Sequence, residues 1–191
     1  MLSNIPNILT VLRLLSVYPL IIFILEEQFF LALGIFFLAG ISDFLDGFLA
    51  RKFSWQSRFG QIADPVADKT LVVATIISLG SIDLIENWFM FMVLGRDLFI
   101  IVGVVLANYL ISDYQVAPNY LGKLNTTILL LLVGIILIDA VGFLVTDIAI
   151  YWISILFIFT NTLSLIVYFI DPGIKILRNI KRRIFMPGSM K

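Results

Sequence analysis

Asp43, Asp46, Asp64 and Asp68 stand in otherwise apolar sequence, three residues apart in the first pair and four in the second. On a helix those spacings put each pair on one face. Ionisable groups within an apolar span are costly unless paired or hydrated, so each is a candidate for function. The chain has no histidine and no cysteine, which leaves hard oxygen ligands suited to Mg²⁺ or Mn²⁺. Four converging carboxylates would repel strongly, and two divalent cations would neutralise them. Two such ions about 4 Å apart make a clamp for displacement at phosphorus. A plainer reading is that Asp43 to Gly47 ends one helix while Asp64 caps the next, with Pro65 in its first turn. That reading accounts for Asp64 but leaves Asp43 and Asp68 unexplained.

The neighbouring residues suit phosphate. Gly47 and Gly60 allow close backbone approach to a ligand, Ala50 leaves room beside them, and Arg51 offers a planar cation. Asn7, Thr10 and Arg13 recur every three residues, forming a polar stripe on a helix entering the membrane that could face the same cavity. The competing expectation is that Arg13 snorkels to the headgroups and the others cap the helix.

These residues must be positioned by membrane helices. Of the 191 residues 61% are hydrophobic and 14% charged, with a mean hydropathy of +1.07, far from a water-soluble composition. Six apolar stretches approach the roughly 20 residues that a helical span needs: 8–25, 29–49, 66–79, 88–111, 124–145 and 148–170. The third is short unless it starts near Phe59 and takes polar residues with it. Breaks are expected at 26–28, 51–58, 80–87, 112–123, 146–147 and 171–173, where charges and helix breakers cluster. The first stretch has no preceding basic segment or small-residue cleavage site and is expected to remain as an anchor. Arg51, Lys52, Arg58, Lys123 and a basic tail from Lys175 to Lys191 fall in alternate loops. The positive-inside rule then places both termini in the cytoplasm, a parity that six spans satisfy. The expected fold is an all-α polytopic bundle, one domain over residues 1–191, with the carboxylates near the cytoplasmic face of the inner membrane. Thirteen basic and thirteen acidic residues give no basic excess for nucleic acid. The basic tail serves as a topological signal and, in a second reading, as a site for anionic membrane lipids.

The run Asp43-Phe44-Leu45-Asp46-Gly47-Phe48-Leu49-Ala50-Arg51, then eight residues, then Gly60-Gln61-Ile62-Ala63-Asp64-Pro65-Val66-Ala67-Asp68 resembles the signature of the CDP-alcohol phosphatidyltransferases at every defining position. The opening Pro6-Asn7-Ile8-Leu9-Thr10-Val11-Leu12-Arg13 and the six-span layout are also similar. The resemblance implies a membrane enzyme that moves a phosphatidyl group from CDP-diacylglycerol to an alcohol and releases CMP. It implies two metals on Asp43, Asp46, Asp64 and Asp68, with Asp68 also the base. Gly47, Ala50, Arg51 and Gly60 would shape the nucleotide site, alongside the stripe of Asn7, Thr10 and Arg13.

Arg96 lies mid-span and Lys123 opens the fifth stretch. Both resemble acceptor-phosphate contacts of the members that use glycerol 3-phosphate, which makes that the expected acceptor. Two features depart from this: Asp97 stands where Glu is more usual, and Gly122 to Thr126 is similar to members that use phosphatidylglycerol. An ion pair of Arg96 with Asp97, or with a carboxylate of another helix, is the structural alternative, the local version being weakened because adjacent helical residues do not face each other. Self-association into a homodimer is left open. A small cation carrier is a distant alternative, since carrier sites lie at the midplane between repeats.

Overall fold

The computed structural model describes residues 5–53, 55, 57–110, 120–143 and 145–185. Among these residues it is all-helical, with α1 (Ile5–Leu25), α2 (Phe29–Phe53), α3 (Arg58–Ser81), α4 (Asn87–Leu110), α5 (Tyr120–Ala140) and α6 (Asp147–Phe185). Five of these contain stretches long and apolar enough to cross a membrane: Pro6–Leu25, Phe29–Leu49, Asn87–Leu106, Tyr120–Ala140 and Asp147–Tyr168. The exception is α3. Its 24 residues extend about 36 Å at a rise of ~1.5 Å each, but its first half carries Arg58, Asp64, Asp68 and Lys69.

The third helix begins at Arg58, as the expectation of a start near Phe59 requires. Its N-cap is Ser57, in extended conformation, whose hydroxyl accepts a hydrogen bond from the Gly60 amide at 2.8 Å. The reading of Asp64 as N-cap and Pro65 as first-turn residue is therefore wrong. Pro65 lies inside the helix, and Asp64 is free to turn its carboxylate elsewhere. Likewise α2 runs on to Phe53, so Asp46 and Gly47 do not end it.

Two other boundaries differ from expectation. The fifth helix stops at Ala140 rather than 145, with Gly142 in the following turn at φ +94°, a conformation open to glycine without a Cβ penalty. The sixth does not break at 171–173 but continues to Phe185. A proline removes one helical hydrogen bond, whereas Ile174, Leu177, Ile180 and Ile184 recur at a spacing that favours one more amphipathic stretch. The expected break at 112–123 lies largely outside the described residues.

The chain divides into two compact units. One holds α1, α2, α3, the first turn of α4 and Leu130–Tyr151; the other holds Phe91–Leu129 and α6 from Trp152 onward. In the first unit α1 packs against both α2 and α3. Leu20 and Ile24 of α1, Ala32 and Ala39 of α2, and Ala67, Leu71, Ile76 and Leu79 of α3 are buried. The small residues at 32, 39 and 67 let helix backbones approach closely, the usual way to gain packing where lipid supplies no hydrophobic drive. In the second unit the buried set includes polar residues on α5 and α6: Asn125, Thr160, Asn161 and Ser164.

Candidate active site

The polar stripe of α1 is met along its length by α3. Asn7 Oδ1 accepts a hydrogen bond from the Ser57 hydroxyl at 2.6 Å, Thr10 Oγ1 donates to Asp64 Oδ1 at 2.5 Å, and Arg13 Nη1 pairs with Asp68 Oδ1. Each step of three residues on α1 is matched by a step of four to seven in the same direction on the segment leading into and along α3. The two helices therefore run parallel here, with α2 supplying the return strand of chain between them.

Arg13 is the centre of the arrangement. It is 2% exposed, and its guanidinium also reaches Asp43 Oδ1 at 3.1 Å and Asp46 Oδ2 at 2.5 Å. Three of the four aspartates thus converge on one buried cation, and the fourth is held one turn away through Thr10. Arg13 does not snorkel to the headgroups. A buried unpaired carboxylate or guanidinium would be costly, and this mutual pairing offsets it. The aspartates differ in access: Asp46 is 3% exposed, whereas the side chains of Asp43 and Asp68 are about half exposed, at 52% and 46%. The cluster is therefore anchored at Asp46 and open at Asp43 and Asp68.

Gly60 is buried in the same place. A Cβ there would stand 3.2 Å from both Asn7 Oδ1 and Ser57 Oγ and 3.5 Å from Asp64 Oδ2, tighter than most side chains tolerate. Its missing side chain lets the first turn of α3 close on α1. Gly47 is half-buried on α2. Ala50 and Arg51 lie in the last turn of the same helix, their side chains outside those described.

As a ligand set the cluster has hard, anionic oxygens and a demonstrated ability to gather round positive charge. Among the described residues no three carboxyl groups close into an ion-binding set by themselves; three of them are paired with Arg13 instead. The residues fit a divalent cation, which would compete with the guanidinium for the same oxygens.

Arg96 and Lys123 belong to the second unit. Arg96 is buried, with Nη1 3.1 Å from Asp97 Oδ1 and Nη2 donating to Ser164 Oγ at 3.0 Å. The neighbouring-residue pair does form, contrary to the helical-spacing argument, because an arginine side chain is long enough to fold back. Lys123 is exposed. Asn125, Thr160 and Asn161 form a buried network that the sequence reading missed: Thr160 Oγ1 donates to Asn125 Oδ1 at 2.9 Å, and Asn125 Nδ2 donates to Asn161 Oδ1 at 3.2 Å. The signal was available as polar residues recurring within an apolar span.

Comparison with known proteins finds relatives of this chain. The chain is 39% identical over 147 residues to a rat protein named cardiolipin synthase (CMP-forming), covering 69% of this chain and 49% of that one. It spans about half the length of the mammalian cardiolipin synthases it matches. It is 35% identical over 147 residues to the CDP-diacylglycerol–glycerol-3-phosphate 3-phosphatidyltransferase of Aquifex aeolicus, covering 74% of this chain and 81% of that one. The protein of the same name from Bacillus subtilis is 34% identical over 130 residues, covering 64% and 65%. Residues 3–161 match one family description, a span that takes in the stripe of α1 and all four aspartates, and on this footing the chain belongs to the CDP-alcohol phosphatidyltransferase family.

Proposed function

We propose that the protein transfers the phosphatidyl group of CDP-diacylglycerol to glycerol 3-phosphate, giving phosphatidylglycerophosphate and CMP. The observation that carries this reading is the convergence of Asp43, Asp46 and Asp68 on one buried guanidinium, with Asp64 held beside them by Thr10. Four carboxylates around one guanidinium form a net negative centre in an apolar molecule, and such a centre recruits the cations that a diphosphate needs.

Two divalent cations, Mg²⁺ or Mn²⁺, held by Asp43, Asp46, Asp64 and Asp68 would neutralise the diphosphate and stabilise charge developing on it. The chain's own residues supply the rest. Asp68, half exposed, takes the proton of the acceptor hydroxyl. The hydroxyl oxygen forms a bond to the lipid-linked phosphorus, and the bond from that phosphorus to the bridging oxygen breaks, with CMP leaving on the electron pair. Arg13, Asn7 and Thr10 orient the nucleotide end with Gly47, Ala50, Arg51 and Gly60. Arg96 and Lys123 recognise the acceptor's phosphate, and a dianionic headgroup requires such cations more than a neutral alcohol does. The site faces the cytoplasm from the inner membrane, the side marked by Arg51, Lys52 and Arg58.

A second acceptor, phosphatidylglycerol, is favoured by the likeness to cardiolipin synthases. The two readings separate by product. Purified protein supplied with CDP-diacylglycerol and either acceptor is expected to form phosphatidylglycerophosphate from glycerol 3-phosphate, seen by mass spectrometry of the lipid extract. Cardiolipin from phosphatidylglycerol, with no product from glycerol 3-phosphate, would transfer the assignment to the second reading.

A further inference from the structure

Three helices meet at the Arg96 guanidinium. Arg96 comes from α4, and its side chain is nine-tenths buried. Asp97 holds Nη1, and Ser164, wholly buried on α6, accepts from Nη2 at 3.0 Å. From α5, Gly122 lies against the same group: a Cβ there would be 3.6 Å from Nη2 and 3.5 Å from the Tyr168 hydroxyl. The third nitrogen, Nε, is buried and makes no hydrogen bond among the described residues.

An arginine presents its donors in a rigid planar fork, so fixing both Nη groups fixes the direction of the Nε–H as well. The two anchors are not equivalent. Asp97 carries a negative charge and reduces the attraction of Arg96 for an anion, whereas the Ser164 hydroxyl orients the guanidinium without neutralising it. A buried donor left over after both anchors are made is costly unless a ligand accepts from it.

We propose that Ser164 is a positioning residue for acceptor recognition: through its hydrogen bond to Nη2 it sets the plane of Arg96 so that the remaining donor edge meets the acceptor's phosphate. This rests on the reading of Arg96 as an acceptor-phosphate contact. Ser164 itself touches neither substrate.

The test is a double-mutant cycle on the purified, full-length enzyme, with glycerol 3-phosphate titrated at saturating CDP-diacylglycerol. Ser164→Ala is expected to raise the glycerol 3-phosphate KM roughly ten-fold, the worth of one hydrogen bond to a charged group, with kcat and the CDP-diacylglycerol KM little changed. Ser164→Thr keeps the hydroxyl and is expected to restore most of the loss. In an Arg96→Ala background Ser164→Ala should add nothing, because its effect runs through the guanidinium. Additive effects in the double variant, or a loss shared equally by both substrates, would overturn the proposal and leave Ser164 a packing residue. If Arg96→Ala raises the acceptor KM while Ser164→Ala does not, the positioning role alone fails. If Arg96→Ala leaves that KM unchanged, the acceptor-phosphate reading fails and this inference with it.

Discussion

A single guanidinium does much of the work of holding the site together. Arg13 offsets part of the charge of three aspartates within the apolar first unit, and this gives it two measurable properties. Replacing it with Gln leaves the carboxylates to repel one another, so the variant should melt lower than wild type in chelator. Added Mn²⁺ should raise its Tm by more than it raises that of wild type, since the ion binds the folded state without a competitor. Equal Tm increments in the two proteins would show that Arg13 and the metal do not share ligands. The aspartates make the complementary prediction. Asp43→Asn, Asp46→Asn, Asp64→Asn and Asp68→Asn preserve size and remove charge, and each should lower kcat by about two orders of magnitude or more while the protein still elutes as a folded species. Near-normal turnover in all four would remove the site from the chemistry. All four aspartates and the three stripe residues were legible in the sequence, because a polar residue in an apolar span is conspicuous. The ion pair from Arg13 to the aspartates was not, since spacing along one helix says nothing about which helix faces it.

At the scale of elements, the start of α3 decides whether the site closes. Ser57 caps the helix and ties it to Asn7 of α1, so Ser57→Ala should cost about 1 kcal/mol of stability, read as a lowered Tm in detergent, and should weaken CDP-diacylglycerol binding. Gly60→Val adds atoms where a Cβ alone is already 3.2 Å from two oxygens. It should be worse in activity than Ser57→Ala, with loss of CMP release the readout. The helices themselves were largely readable: the second apolar stretch, 29–49, coincides with the span in α2, and the α1–α2 and α3–α4 turns fall where charges and breakers cluster. What the sequence left open was which of two starts α3 takes, near Phe59 or at Asp64. Asp64-Pro65 has the local chemistry of a helix start, but the cap at Ser57 and the ladder to α1 extend the helix back through it. The tail shows the same competition, where amphipathic spacing outweighs one proline at 172 and the helix continues.

For the molecule as a whole, the parallel course of α1 and α3 places the beginning of α1, the end of α2 and the beginning of α3 at one end of the first unit, and the orientation we propose from the Lys/Arg pattern turns that end to the cytoplasm. The absence of cysteine makes this easy to check with single replacements. Gln28→Cys, in the exposed α1–α2 turn, should react with an impermeant maleimide on intact cells, while Lys52→Cys should react only after permeabilisation. The reverse pattern would turn the site outward. Family membership and the carboxylate cluster could be inferred from residue types and spacing; the hydrogen bond between Asn125 and Asn161 could not, because polar residues recurring in two apolar spans do not say that those spans meet. The central claim is that this cluster runs a cation-dependent phosphatidyl transfer. Its most direct test is CMP release by purified wild-type protein from CDP-diacylglycerol and glycerol 3-phosphate, measured after chelation and again as Mg²⁺ or Mn²⁺ is returned. The account predicts release that is abolished by the chelator and restored by the ion; release at an undiminished rate in the chelated protein would contradict it.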